Sequence, residues 1–211
     1  MRLIGMLDSP YVRRVAISLQ LLGLRFEHQS LSVFGGFDQF RQINPVVKAP
    51  TLVCDDGTVL MDSSLILDYA ESLPGRRRSL MPVKIDERRH ALRIVGLALA
   101  ACEKAVQIVY ERNARPAEKA HEPWVERVSG QLLAAFGELE KEMRQRPLVV
   151  GSGVMNQAGV STAVAWYFTQ QLFPDIVDAS AYPSLKEFSA RAEALPAFVA
   201  APHGAGTYRA N

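Results

Sequence analysis

The sequence predicts an α/β unit over residues 1–75, a linker over 76–84 and an all-helical segment over 85–211. Three observations carry that reading. The first 73 residues follow the order β-α-β-α-β-β-α, which calls for a mixed sheet of four strands with helices packed on it. Pro74-Gly75-Arg76-Arg77-Arg78-Ser79-Leu80-Met81-Pro82 then breaks the pattern with linker chemistry. From Ile85 onward the apolar residues recur at helical spacing.

Leu3 to Leu7 is a short apolar run and reads as a buried strand that stops at the turn signal Asp8-Ser9-Pro10. A helix follows with Ser9 as N-cap, Pro10 in its first turn and Gly23 as its stop. Val12, Val15, Ala16, Leu19 and Leu22 share one face of it. Leu24 to Leu31 is the second strand, and Phe37 to Gln42 is a short helix broken by Asn44-Pro45. Pro50 to Cys54 and Thr58 to Met61 form a hairpin across Asp55-Asp56-Gly57. Asp62 or Ser63 caps the next helix, striped by Ile66, Tyr69, Ala70 and Leu73. The arginine run 76–78 reads as a solvated connector.

In the second part, long helices are expected over Ile85 to Arg112 and Glu122 to Arg146, the latter with Trp124, Val128, Leu132 and Ala135 on one side. A third helix follows Asn156 and carries Val160, Val164, Tyr167 and Phe168; a fourth lies between Pro183 and Leu195. The tail from Pro202 is expected to be loose.

The bulk properties exclude several function classes. Twenty-four basic and 22 acidic residues leave a net charge of +2, which favours neither nucleic acid nor an anionic membrane as partner. No apolar run reaches the roughly 20 residues of a membrane span. The N-terminus lacks the form of a signal peptide, so a cytoplasmic protein is expected. Cys54 and Cys102 have neither CxxC nor metal spacing, and the four histidines are scattered. Two reduced thiols and no metal are expected.

Three places carry candidate chemistry. Ser9 stands where the N–H groups of a first helical turn lack intrahelical partners, so its hydroxyl and those donors could stabilise a sulfur anion. The same pattern fits a plain helix cap. Lys48-Ala49-Pro50-Thr51 sets a proline at the start of a strand, where a cis bond would leave the Ala49 backbone open to pair with an extended peptide. An ordinary edge-strand proline fits equally. Asp62-Ser63 heads a helix that could hold a carboxylate on N–H groups and the Ser63 hydroxyl, with Asp62 pairing an ammonium. A cap alone would have the same sequence. Glutathione carries every group these places recognise: a thiol, two peptide bonds, and a γ-glutamyl end with both charges.

Ser9-Pro10-Tyr11-Val12-Arg13-Arg14-Val15, Asn44-Pro45 with Lys48-Ala49-Pro50, and Asp62-Ser63 occur in the order found in the glutathione transferase family, which the chain resembles over essentially its whole length. Ser-Pro-Tyr followed by Arg-Arg resembles bacterial serine-type members related to the zeta, theta and omega classes. Tyr110-Glu111-Arg112 and Ala114-Arg115-Pro116 are similar to a bacterial transferase-like subgroup. The resemblance implies a thioredoxin-like first domain, an all-helical second domain and a homodimer. Glutathione would be co-substrate and a small apolar electrophile its partner, in a detoxification role. Ser9 would hold the thiolate, Ala49 the cysteinyl backbone beside a cis Pro50, Asp62 and Ser63 the γ-glutamyl group, and Lys48 the glycyl carboxylate. Tyr11, Tyr110, Arg112 and Arg115 are electrophile-site candidates. A zeta-type glutathione-dependent isomerase and a non-catalytic glutathione-binding protein are the alternatives. The chain departs from the family pattern in having Asp62 where glutamate is usual, and Gly159 where the second domain's capping box ends in aspartate. Ser9 replaces the cysteine of some relatives, and serine cannot form a mixed disulfide.

Overall fold

The computed structural model describes residues 1–209, which pack as two compact units. The first comprises Met1–Met81, Gly151–Asn156 and the stretch from Glu193 onward; the second comprises Pro82–Val150 and Gln157–Ala192.

In the first unit, β1 (Arg2–Ile4), α1 (Pro10–Leu22), β2 (Glu27–Gln29), α2 (Phe37–Ile43), β3 (Thr51–Val53), β4 (Val59–Met61) and α3 (Ser63–Ser72) follow in the expected order. The sheet order is β2-β1-β3-β4. β1 runs parallel to β2, as a βαβ crossover requires, and antiparallel to β3, which pairs with β4 as a hairpin. Each strand is shorter than the span expected for it. β1 ends at Gly5, whose φ of +135° turns the chain while its N–H still donates to Gln29 C=O at 3.1 Å.

Ser9 caps α1, Pro10 begins it, and Gly23 ends it at φ +76°. The expected apolar face is buried, but so is nearly everything else: only Tyr11 and Gln20 are not. α1 packs on the sheet, on α3 and on a short C-terminal helix, α8 (Pro196–Val199), so it has no broad solvent face. Buried Arg13 donates to both Glu193 carboxylate oxygens, at 2.7 and 2.5 Å, and to Ala201 C=O at 2.8 Å. Gln20 donates to Ala197 C=O at 2.9 Å. These bonds draw the C-terminal stretch into the first unit.

Two expectations change here. Residues 202–209 are not loose: Tyr208 stacks on Phe26 with ring centroids 4.5 Å apart, and Ser30 donates to Ala205 C=O at 2.8 Å. Nor is the arginine run only a solvated connector. Arg78 donates to Ser152 and Met155 C=O at 3.2 and 2.6 Å, Arg76 pairs with Glu71, and Arg77 N–H donates to Leu22 C=O. The expectation for the tail also covered residues 210 and 211, which lie outside the described residues.

The second unit is helical: α4 (Ile85–Val109), α5 (Glu122–Gln145), α6 (Gln157–Leu172) and α7 (Pro183–Glu193). α4 packs against α5 and α6. Ala91, Ala98, Ala101 and Ala105 on its buried face permit close approach. α6 is buried on nearly all sides, as its apolar composition demands. α4 stops short of Arg112; residues Tyr110–Ala114 form a π-helical turn. The buried stripe of α5 is Val125, Val128, Leu132, Ala135, Phe136 and Leu139. Trp124, expected on that stripe, is 41% exposed, because it belongs to the first turn, one residue before the stripe begins. Both cysteines are buried, and neither is in a disulfide among the described residues. Among the described residues no helix is long and apolar enough to cross a membrane.

Candidate functional site

The head of α1 is the centre of the first unit's candidate site. Ser9 has extended backbone angles, and its hydroxyl oxygen accepts from Val12 N–H at a long 3.4 Å. Such a weak cap leaves the hydroxyl hydrogen able to donate elsewhere. The first intrahelical bond is Arg13 N–H to Ser9 C=O at 3.0 Å. Asp8, one residue upstream, has its carboxyl pushed up by burial, against the opposing pull of His203 and the Ser9 amide.

Gly5 brings the second segment to this helix. A Cβ there would lie 2.6 Å from Val12 Cγ2 and 3.1 Å from Ala49 Cβ, so only glycine lets the two approach. The Ala49–Pro50 peptide is cis. Neither the N–H nor the C=O of Ala49 is taken by another described residue. Buried Asn44 holds the loop from within: its amide donates to Thr51 Oγ1 at 2.8 Å and its oxygen accepts from Val46 N–H at 3.0 Å. Thr51 in turn donates to Lys48 C=O at 2.6 Å, while the Lys48 side chain is exposed.

The third segment is the start of α3. Asp62, rather than Ser63, is the cap: Oδ1 accepts from Ser64 and Leu65 N–H at 2.8 and 3.4 Å. Its other oxygen takes no partner among the described residues. Buried Arg14 reaches from α1 to donate to Ser63 Oγ at 2.9 Å and Ser64 Oγ at 3.2 Å. A guanidinium can only donate, so the Ser63 hydroxyl hydrogen is directed to some other acceptor. Among the described residues, the non-glycine positions with positive φ are Val47 (+53°) and Asp62 (+73°), one in each of these two segments. Backbone of this kind costs about 1–3 kcal/mol per residue and concentrates at ligand clamps.

Tyr11 belongs to this unit, half-buried in the first turn of α1. Tyr110, Arg112 and Arg115 belong to the second unit, on and just beyond the π-helical turn. Arg112 pairs with Asp175 at 3.4 Å and lies over the Phe173 ring. Arg115 pairs at 2.8 Å with buried Glu111, which also accepts from His121 N–H at 2.9 Å. The His121 amide, followed by Arg115, holds the Glu111 carboxyl below its usual range despite burial. Among the described residues no three histidine, cysteine or acidic side chains gather as metal ligands.

The sequence assigned no role to Gly5, Arg14, Asn44 and Thr51, which position the three segments; the last three lie inside the motifs quoted above, but their contacts are not encoded there. The signals were slight: a glycine ending an apolar strand, and two adjacent arginines on a helix with no broad polar face.

A four-stranded mixed sheet with the chain order βαβαββα, followed by a helical unit, is the thioredoxin-like and all-α architecture of glutathione S-transferases. Residues 3–78 match the family described as Glutathione S-transferase, N-terminal domain. A GST-like protein of Escherichia coli, YibF, is 31% identical over 122 residues, covering 58% of this chain and 59% of its own length. Glutathione S-transferase U4 of Arabidopsis thaliana is 25% identical over 118 residues, covering 51% and 52%. The chain thus spans little more than half the length of these curated relatives. Solved structures match over nearly all of it. A Methylobacterium radiotolerans glutathione S-transferase in complex with glutathione sulfonate superposes with a TM-score of 0.84 at 27% identity, covering 94% of this chain and 92% of that one. A Pseudomonas fluorescens glutathione transferase family member with bound S-(propanoic acid)-glutathione gives 0.79 at 27%, covering 95% and 98%. Residues 3–78 are thus similar to the glutathione S-transferase N-terminal domain, and the fold of nearly the whole chain is that of glutathione S-transferases.

Proposed function

We propose that this chain binds glutathione on its first unit and joins the glutathione sulfur to a small apolar electrophile. The observation that carries the reading is the gathering of three recognition segments on α1: Ser9 in its cap, Ala49 behind Gly5, and Ser63 under Arg14. Ser9 donates its hydroxyl hydrogen to the thiolate. Lowering a thiol pKa by one unit takes about 1.4 kcal/mol of preferential thiolate binding. One charge-assisted hydrogen bond supplies about 1.5–3 kcal/mol. The Ala49 N–H and C=O pair with the cysteinyl backbone beside Pro50, as a strand would. Ser63 donates to the γ-glutamyl carboxylate, and the open oxygen of Asp62 accepts from its ammonium. Lys48 faces the glycyl carboxylate. The thiolate then attacks carbon; a carbon–sulfur bond forms and the leaving group departs with its electron pair. An uncharged electrophile fits Arg112 and Arg115, since each carries its own carboxylate partner. Tyr11, in the first turn of α1, contributes a contact to an apolar substrate.

A homodimer in the cytoplasm, acting in detoxification, belongs to the same proposal. Met61 and Leu65, 38% and 64% exposed, are apolar surface that a second copy would cover, and light scattering reads the dimer directly. For the site, the test is thiolate absorbance of bound glutathione at neutral pH, followed in Ser9→Ala. Wild type should show thiolate and Ser9→Ala should titrate higher with lower turnover. Binding without a thiolate signal in wild type would defeat the serine mechanism and leave a binding protein; no binding at all would defeat the whole reading.

A further inference from the structure

β2 is an outer strand of the sheet, so one of its edges needs cover. The C-terminal stretch lies against it. Arg209 N–H donates to Ala200 C=O at 2.9 Å and closes residues 200–209 into a loop. The Tyr208 ring stacks on Phe26 at an interplanar angle of 20°, and Ser30 donates to Ala205 C=O. Arg13 holds the start of the stretch through Ala201 C=O, and His28, on β2, holds its far end. The His28 Nδ1 lies 2.9 Å from Tyr208 N, and its Nε2 lies 2.7 Å from Gly5 O.

Those two partners fix the tautomer. A peptide N–H can only donate, so Nδ1 must be a bare acceptor. A carbonyl can only accept, so Nε2 must carry the hydrogen. Both ring nitrogens are used, and only by the neutral form. We propose that His28 is a protonation-gated latch: neutral, it clamps the 200–209 strap to the sheet edge; protonated, it sets an Nδ1–H against the Tyr208 N–H and releases the strap.

The surroundings suit a latch. Burial pushes the His28 imidazole below its ordinary value of 6.5, with the Gly5 carbonyl pulling the other way, and no charged side chain adds to either. On β1, buried Leu3 sits opposite His28, while Arg2 and Glu27 pair one position away and therefore point to the other sheet face. On the strap, the titratable groups are Tyr208, whose phenol is pushed up by burial, exposed Arg209, and His203. His203 faces a separate set, Arg13, Asp8 and Glu193, and burial pushes it down also. The sign follows. The docked ring binds a proton more weakly than the released ring, so docking is fully favoured above 6.5 and is lost as pH falls below that value.

The test is amide hydrogen exchange of the full chain, without glutathione, at about pH 7.5 and about pH 5, normalised for intrinsic rates; between the two pKa values docking weakens by up to about tenfold per pH unit. Protection at Tyr208 should fall by about tenfold or more at the lower pH, while β1 and β3 stay protected. His28→Leu should leave Tyr208 unprotected at both pH values, and His203→Asn should keep the pH dependence. Equal wild-type protection at both pH values would overturn the latch. So would a transition surviving in His28→Leu or lost in His203→Asn. If His28→Leu does not fold, the ring nitrogen shifts of wild type decide: an Nδ1–H tautomer at neutral pH is incompatible with the proposal.

Discussion

Glu140 provides a sharp test of how the second unit is held. It lies on α5, is 5% exposed, and does the work of a cap for a different helix. Its two oxygens accept from Ser184 and Leu185 N–H, at 3.1 and 3.0 Å, in the first turn of α7, where Pro183 has no N–H to offer. Arg144 Nε donates to it at 3.0 Å from one helical turn away. Glu140→Ala removes the acceptor and leaves two helix-start N–H groups without it. A buried donor left unsatisfied costs about 1–3 kcal/mol. With two such donors, one buried at Leu185 and one half-buried at Ser184, the net loss should be about 3 kcal/mol. At roughly 2–4 °C per kcal/mol for a chain of this size, Tm should fall by about 6–12 °C. Glu140→Gln keeps one acceptor and the side-chain volume, so it should lose about half as much. Thermal unfolding followed by near-ultraviolet circular dichroism suits the measurement, because Trp166, Phe136 and Tyr182 pack edge to face in the same unit. A Glu140→Ala protein melting within about 1 °C of wild type, less than 0.5 kcal/mol, would refute the reasoning.

The same carboxylate gives a pH dependence. Burial pushes Glu140 up, but the Leu185 and Ser184 amides and Arg144 together hold it below its ordinary 4.5. Its stabilisation is therefore complete above that value and is lost as pH falls below it, and Glu140→Gln should flatten the acid limb of a stability–pH curve. Gly5→Ala should destabilise by roughly 2–6 kcal/mol, the sum of an overpacked Cβ and a strained φ; an unchanged denaturant midpoint would refute the close approach of Val12 and Ala49. Arg14→Met preserves much of the apolar stem but removes the donor to Ser63. Calorimetry should show glutathione binding at least about tenfold weaker, a loss of about 1.4 kcal/mol. An unchanged Kd would remove Ser63 from the carboxylate site.

What was legible in the sequence is what local chemistry fixes. Ser9, Pro10 and Gly23 bound α1 because cap and stop geometry depend on neighbours a few residues away. The hairpin across Asp55-Asp56-Gly57 and the Asp62 cap are local in the same sense. The order of elements, and with it the fold class, followed from periodicity and turn residues alone. So did the three candidate segments, as places on the chain. Their meeting did not. That Gly5 draws Ala49 to α1, and that Arg14 crosses from α1 to Ser63, depends on contacts between residues about 44 and 49 positions apart, which no local spacing encodes.

The same limit explains each revision. Arg13 had no local partner in the sequence, and its carboxylate partner lies 180 residues away. The tail from Pro202 has the composition of a loose end, but Phe26, His28 and Ser30 offer it a stacking face and two polar attachments. The arginine run 76–78 has the composition of a connector, but the carbonyls of the 151–156 loop give Arg78 acceptors. In each case a side chain whose sequence neighbours predict solvent finds its partner from a distant stretch. Sequence by itself determined the elements, their order and the kind of chemistry each helix start could support. Tertiary structure decided which polar groups are matched and which, like the Ala49 backbone, stay open among the described residues, because matching is a property of proximity in space.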